Sequence, residues 1–212
     1  MVEEMSRRER KKVKTRRELV EAASHLISVG GVAELRVADI TDKVDVALGT
    51  FYSYFETKDD IVEAVVADVL GPLADAVGDY GDRADDPAVA MSVGIRELVR
   101  ICEQNPELPQ LLVRLDDAGG RFERILWARA SPIIGRAIAS GRFRVGGAPP
   151  DLVVKLAIAA VFTMLRTGAE KGVVLDERDA AVLGLQLVGI EHDEAVAIAA
   201  LDLPDFAAEA IA

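Results

Sequence analysis

The chain has 212 residues, half of them hydrophobic, with one cysteine and a formal net charge of −11. This size and composition allow one or two compact domains with a substantial core, and they argue against overall disorder. The lone Cys102 excludes an internal disulfide and suits a reducing compartment. The N-terminus lacks the apolar run of a secretory signal, and the longest apolar run, 152–165, is too short to span a bilayer. The sequence therefore predicts a soluble, cytoplasmic protein with no membrane partner.

The charge is unevenly distributed along the chain. Residues 6–17 (SRRERKKVKTRR) hold eight Lys or Arg and one acid, whereas residues 59–212 hold 14 basic and 26 acidic side chains. An acidic body repels nucleic acid, but a basic end attracts phosphate because attraction follows the local field. Alone, the basic stretch would be read as a solubilising tail. Placed directly before a helix-turn-helix, the same stretch would instead be predicted to be an arm that touches phosphates.

The first predicted helix runs from about Val13 to Val29. Its apolar residues keep helical spacing, and the pair Gly30-Gly31 is expected to end it with a left-handed cap.

Two short helices follow, with a tight corner between them. Val37, Ile40, Thr41 and Val44 keep the spacing of one helix face, and the chain then turns at 45–47. A second short helix is predicted over Leu48–Phe55. Two short helices that meet through a three- to four-residue turn form a helix-turn-helix, whose second helix can enter a DNA major groove.

The stretch ITDKVDVALGTFYSYFETKDDIV resembles the signature of the TetR family of bacterial transcriptional regulators. That signature reads roughly I-A-x-x-A-G-V-S-x-G-T-x-Y-x-Y-F-x-S-K-E-x-L. The matching or conservatively replaced positions are Ile40, Val46, Gly49, Thr50, Tyr52, Tyr54, Phe55, Thr57, Lys58, Asp59 and Ile61. The motif covers about residues 16–66, and the length and helical remainder of the chain also fit the family.

Three positions depart from the family pattern. Asp45 stands where the family has Gly, and Asp tolerates a left-handed backbone better than most residues. Ala47 replaces the usual Ser or Thr and removes one phosphate contact. Arg36 replaces a capping Ser or Thr, although Asp39 still favours the positive end of the helix dipole.

Candidate DNA contacts come partly from recognition-helix geometry and partly from the resemblance. Leu48, Gly49 and Thr50 open the second short helix, where base edges are read; the alternative is that Gly49 and Thr50 merely begin the helix. Tyr52 and Tyr54 resemble the family's phosphate-binding tyrosines, although one of them could be a core residue. Lys58 places a positive charge at the positive end of its own helix dipole, which is locally unfavourable. This placement is explained if Lys58 and the helix N-terminus together bind a phosphate. Further backbone candidates are Thr15, Arg16, Arg17 and Arg36.

The rest of the chain is predicted to be helical, which makes the protein all-α. A long helix is predicted to begin at Thr57, which forms a capping-box pattern with Asp60. Its apolar stripe ends near 78–81, and a polar segment follows at 80–87. Further helices are expected over 88–103, 107–115, 121–140, 151–171, 177–190 and 193–201. The sequence predicts two domains: residues 1–56 for DNA binding and 57–212 for ligand binding and dimerisation.

The resemblance implies a ligand cavity in the second domain and a homodimer through Asp151–Lys171 and Glu177–Ile190. The cavity is expected between the helices of 88–103, 121–140 and 151–171, where Pro132 breaks the backbone ladder and Trp127 lies on the wall. The candidate pocket residues are Met91, Cys102, Phe122, Trp127, Phe162, Met164 and Arg166. For each of them ordinary core packing is the more common role.

No phosphate-cradling glycine loop, HExxH, paired cysteines or nucleophile elbow occurs, so we expect no catalysis, metal or cofactor. The sequence favours a homodimeric repressor that leaves a palindromic double-stranded operator when a small apolar or amphipathic effector binds. One rival is an effector-independent DNA-binding or nucleoid-type protein. A second, a helical-bundle enzyme with a buried carboxylate, leaves the motif before Lys58 unexplained.

Overall fold

A computed structural model describes residues 6–104, 108–116, 121–171 and 176–204, and this part of the chain contains ten α-helices and no strand. The all-α prediction is confirmed. The helices are α1 (Arg7–Glu34), α2 (Val37–Val44), α3 (Leu48–Tyr52), α4 (Lys58–Arg83), α5 (Pro87–Gln104), α6 (Leu108–Asp116), α7 (Arg121–Ala139), α8 (Pro150–Lys171), α9 (Glu177–Leu187) and α10 (His192–Ala199).

Helix α1 is longer than predicted at both ends. It begins at Arg7 rather than Val13, because Ser6 and Glu9 form a capping box: the Ser6 hydroxyl accepts from the Glu9 amide at 3.2 Å, and the Glu9 carboxylate accepts from the Ser6 amide at 2.8 Å. The basic stretch is therefore the exposed beginning of a helix. Its first buried residue is Leu19.

The glycine pair marks a bend in α1 rather than its end. Gly30 keeps helical geometry, whereas Gly31 has φ 80° and ψ 170°, and one further turn carries the helix to Glu34. This final turn lies against α6, where the Arg114 guanidinium approaches the bare Cα of Gly31. The bend thus brings the N-terminal helices onto the second half of the molecule.

Helix α4 connects these two halves. It begins with a second capping box, formed by Thr57 and Asp60, as predicted. Ile61, Val62 and Val65 are buried in its first turns. The helix continues through Pro72 to Arg83, slightly beyond the predicted end near residues 78–81. Its first half therefore packs on α1, while its second half reaches α5 and α7.

The remaining helices form a bundle around α5 and α7. Helix α5 packs on α9, and α7 lies between α4 and α8. Pro132 lies inside α7, and the helix continues past it without restarting. After α7, Arg142 donates to both carboxylate oxygens of Asp86 at 2.9 and 2.8 Å and pairs with Glu194 at 2.7 Å. Hydrogen bonds from Arg142 hold the pKa of the Asp86 carboxyl below its usual value. The Arg142–Asp86 ion pair is therefore fully charged at neutral pH.

The two adjacent glycines should respond oppositely to alanine. Gly31→Ala forces a Cβ into a backbone region that is nearly exclusive to glycine, and it should cost about 1–3 kcal/mol. Gly30→Ala is the matched control: it removes backbone freedom from an exposed helical position and should be neutral or stabilising by about 0.5–1 kcal/mol. Urea unfolding of both variants measures the difference. Equal midpoints would contradict the bend at Gly31.

Candidate DNA-binding surface and ligand cavity

The short recognition helix α3 is held in place by one aromatic side chain. Phe51 is fully buried, and its ring contacts Tyr52 edge-on at 5.3 Å and Phe55 at 5.6 Å between centroids. The guanidinium of Arg16 lies over the Phe55 ring at 5.2 Å. Helix α3 ends at Tyr52, earlier than the predicted Phe55, because the chain turns there through hydrogen bonds from Tyr54 and Phe55 to the Phe51 carbonyl.

The turn between α2 and α3 contains a residue with the left-handed backbone conformation expected there. Asp45 has φ 55° and ψ 52°, the one positive φ outside glycine in the described residues. The Val46 amide then donates to the Thr41 carbonyl at 3.1 Å, which closes the end of α2. As expected, Arg36 precedes α2 without capping it by a side-chain hydrogen bond. The helix-turn-helix geometry is therefore retained with Asp in place of Gly.

The outer face of α3 presents the predicted DNA contacts unequally. Leu48, Gly49 and Tyr52 are exposed, Thr50 is half-buried, and Tyr54 is half-buried against the core. A Cβ built on Gly49 meets no atom within 4 Å. In the described part of the chain no contact requires glycine at this position, and DNA contact by Gly49 stays a prediction.

Lys58 has an intramolecular partner that the sequence did not indicate. Its ammonium donates to the Val32 carbonyl at 3.2 Å, near the end of α1. The Asp60 carboxylate accepts from the Glu56 and Thr57 amides, both at 2.9 Å, and hydrogen bonds chiefly from Thr57 hold the pKa of Asp60 below its usual value. Lys58 therefore joins α1 to α4, and phosphate binding by Lys58 stays a prediction.

The basic start of α1 is exposed along its length. Residues 7–17 are exposed except Thr15, which is half-buried, and Arg17 also pairs with Glu21 at 3.3 Å. Arg16 belongs to this surface and touches the helix-turn-helix through Phe55. The basic surface therefore reaches the turn that follows α3, while phosphate contacts by Thr15, Arg16, Arg17 and Arg36 stay predictions.

A cavity of about 110 Å³ lies among α4, α5, α7 and α8. The three helices predicted to form it are present, and α4 is a fourth wall that the sequence did not indicate. Its lining residues are Ala74, Val77, Ala90, Met91, Gly94, Ile95, Leu98, Leu126, Arg129, Ala130, Ile133, Ile134, Ala157, Ile158 and Val161.

Most predicted pocket residues lie elsewhere. Met91 lines the cavity, but Cys102 is a core residue whose burial raises its pKa to about 12. Trp127 faces the Lys155 ammonium at 6.0 Å instead of the cavity wall, which is formed by its neighbour Leu126.

The candidates on α8 are also outside the cavity lining. Phe162 is buried beneath the guanidinium of exposed Arg166, at 5.3 Å from its ring, and Met164 packs in a second, smaller core cluster. Phe122 belongs to α7, but its side chain lies outside the described residues. The helices were thus predictable, whereas the residues on their inner faces were not.

Sequence reasoning missed Arg129, the one charged residue in the cavity lining. Its guanidinium pairs with the Asp75 carboxylate on α4, and Arg136 makes the equivalent pair with Asp82 at 3.2 Å. Arg136 also donates to the Gly81 carbonyl at 2.7 Å. A signal was present, because Arg129 follows Leu126 by three positions and precedes Ile133 by four, which places it on their side of the helix.

The described residues contain no group of three His, Cys, Asp or Glu side chains placed to hold a metal ion. They also contain no helix long and apolar enough to cross a membrane.

A helix-turn-helix joined by a long α4 to a helical bundle is the architecture of a class of DNA-binding transcriptional regulators, and comparison with known proteins identifies the family. Residues 19–65 match "Bacterial regulatory proteins, tetR family", and residues 86–201 match "Tetracyclin repressor-like, C-terminal domain". The chain belongs to the TetR family of DNA-binding transcriptional regulators.

Three proteins illustrate this similarity. An uncharacterised HTH-type transcriptional regulator of Bacillus subtilis, YvdT, is 26% identical over 128 residues, a match that spans 58% of this chain and 66% of YvdT. The structure of RolR in complex with resorcinol is 26% identical, with a TM-score of 0.71 over 93% of this chain and 98% of RolR. The SmeT–triclosan complex shares the fold at 21% identity, with a TM-score of 0.66 over 82% of this chain and 90% of SmeT. SmeT is the repressor of a Stenotrophomonas maltophilia multidrug efflux pump.

Gly49→Ala separates a DNA-binding role from a structural one. The variant should be as stable as the wild type or more stable by about 0.5–1 kcal/mol, because alanine favours the helix and the added methyl meets open space. Its affinity for duplex DNA should fall about tenfold or more, since a hydrogen bond to a charged phosphate is worth about 1.5–3 kcal/mol and needs close approach.

Gly135→Ala in α7 is the matched control, since its Cβ also meets nothing within 4 Å. It should leave duplex affinity unchanged in fluorescence anisotropy. Wild-type duplex affinity in Gly49→Ala would remove Gly49 from the DNA-binding surface.

Proposed function

We propose that this regulator is a homodimeric, cytoplasmic repressor that binds a palindromic operator and leaves it when a small apolar or amphipathic molecule fills the cavity. Residues 1–56 would read DNA, and residues 57–212 would bind the effector and the second protomer. We propose no catalytic role. The single observation that carries the proposal is that α4 begins beside the DNA-reading helices and ends as a wall of the cavity.

The DNA end supports this proposal by shape and charge. Helix α3 exposes Leu48, Gly49 and Tyr52, and Arg16 from the exposed basic turns of α1 contacts Phe55, three residues after the end of α3. Two such helices in a dimer would meet half-sites one helical turn of DNA apart, about 34 Å, or a multiple of it.

The dimer is supported by apolar side chains that the protomer leaves uncovered. Leu152 and Leu156 on α8, with Leu183 and Leu187 on α9, are each about half exposed. Both pairs recur at i, i+4 and so form a stripe on each helix, which is unusual for a monomer surface.

The small residues of α9 do not belong to this stripe. Ala180, Ala181 and Gly184 are buried within the chain. A Cβ at Gly184 would collide with Ile95 of α5. The uncovered leucines, not the small residues, are thus the proposed interface.

Charges on the leucine stripe should dissociate the dimer. Leu156→Glu combined with Leu183→Glu should sediment at monomer mass with unchanged helical circular dichroism, and it should bind operator more weakly. Val29→Glu is the control, because Val29 is 67% exposed on α1, away from α8 and α9. A double variant that stays dimeric would exclude this face as the interface.

The proposed release mechanism requires the effector to favour one arrangement of α4. A ligand shifts the equilibrium only by the difference in its affinity for the DNA-bound and free conformations. Because α4 contributes Ala74 and Val77 to the cavity wall, an occupant would contact α4 directly. A displacement of α4 would be transmitted to α1 through the hydrogen bond from Lys58 to the Val32 carbonyl.

A larger side chain in the cavity should abolish release by an effector without changing operator affinity. A duplex selected from a random pool would be titrated by anisotropy, with and without a panel of apolar and amphipathic compounds that includes resorcinol and triclosan. Ala130→Leu occupies the cavity and should keep operator affinity while losing release. Ala128→Leu, on the exposed side of the same helix, should keep both properties. A broad panel that never changes wild-type operator affinity would favour the effector-independent rival.

A further inference from the structure

The cavity has one polar feature in an otherwise hydrocarbon wall. Fourteen of its fifteen lining residues are apolar or glycine, and the other is Arg129. An apolar engineered cavity of about 150 Å³ takes up benzene, so a space of about 110 Å³ is on the scale of one aromatic ring. The lining offers such a ring an apolar surface and one charged side chain.

Arg129 lies where that polar end would be placed. Its side chain is 43% exposed, so it marks the side of the cavity that communicates with solvent. Gly78 allows Arg129 to cross α4 closely, since a Cβ there would lie 2.9 Å from the Arg129 Cδ. The guanidinium has five N–H donors, and its bond to Asp75 uses Nη2. It can donate to a second acceptor without releasing Asp75.

We propose that the cavity binds a single-ring aromatic compound with a phenolic hydroxyl group, held by Arg129. The ring occupies the apolar space between α5, α7 and α8, and the hydroxyl oxygen accepts from the guanidinium. The hydroxyl proton is donated to the Asp75 carboxylate on the same guanidinium. This inference rests on the proposed function of the cavity as an effector site.

The charges around Arg129 favour a neutral hydroxyl over a carboxylate. Asp75 already neutralises the guanidinium, and Asp79 and Asp82 follow on the same helix. A ligand carboxylate would meet these negative charges and would lose its hydration on entry. A phenol is uncharged at neutral pH, because its pKa is near 10. It therefore satisfies a donor and an acceptor without bringing a second negative charge.

The hydroxyl would also act on α4, because Asp75 belongs to that helix. The α4–α7 contact includes two arginine–aspartate pairs, Arg129–Asp75 and Arg136–Asp82, and only the first adjoins the cavity. A hydroxyl that shares Asp75 loosens the first pair and leaves the second in place. Ligand recognition and the movement of α4 thus depend on the same ion pair.

The test is a calorimetric titration of the full chain with phenol, toluene and benzoate, which share a ring and differ in the polar group. Wild-type protein should bind phenol about tenfold more tightly than toluene, the value of a hydrogen bond to a charged group, and benzoate most weakly. Arg129→Met should abolish the preference for phenol over toluene, and Arg129→Lys should retain part of it. Arg136→Met, which removes the equivalent ion pair away from the cavity, should bind as the wild type does.

Three results would overturn the inference: equal wild-type affinity for phenol and toluene, tightest binding of benzoate, or equal losses in Arg136→Met and Arg129→Met. Operator anisotropy separates this inference from the function on which it rests. Arg129-dependent phenol binding with unchanged operator affinity supports the site and contradicts effector release. Release by a larger compound, with no phenol binding, supports effector release and overturns the phenol site.

Discussion

The continuity of α4 is the constraint on which the rest of the structure depends. The helix runs 26 residues from Lys58 to Arg83, about 39 Å, and it belongs to two packing environments. Its first turns are buried against α1, and its later turns wall the cavity and pair with arginines of α7. Since a helix resists bending through its hydrogen-bond ladder, a shift at Ala74 or Asp75 cannot be absorbed locally without cost. Pro72 is the point where that ladder lacks one bond, and it lies just before the cavity wall.

The helix-turn-helix could be predicted because its determinants are local. Spacing of apolar residues over two turns, an Asp that accepts the left-handed corner, and a capping box at Thr57 all act within a few positions. The family resemblance rests on the same short stretch. Contacts between distant positions were not predicted: the Lys58 ammonium donates to a carbonyl 26 positions away. The Gly30-Gly31 pair indicated the positive φ of Gly31, but it did not indicate that a further helical turn follows and that α1 lies against α6.

The residues that line the cavity could not be predicted from hydrophobic periodicity. Helix α7 carries two apolar stripes, so periodicity alone could not decide whether Leu126 or Trp127 faces inward, and the structure selects Leu126. Likewise, α9 offers both small residues and leucines, and packing against α5 uses the small ones and leaves Leu183 and Leu187 outside. The two outcomes have one cause. A helix with apolar residues on several sides is oriented by its neighbours, and those contacts join residues far apart in sequence.

The central claim is that occupancy of the cavity moves the DNA-reading helices by way of α4. It is tested most directly by the distance between spin labels in the two protomers, placed at exposed Asp42 on α2 by Asp42→Cys. Cys102 would stay unlabelled, because burial raises its pKa to about 12 and removes the reactive thiolate. A saturating compound that releases operator should shift the distribution of distances between the labels. Release with an unchanged distribution would contradict transmission through α4.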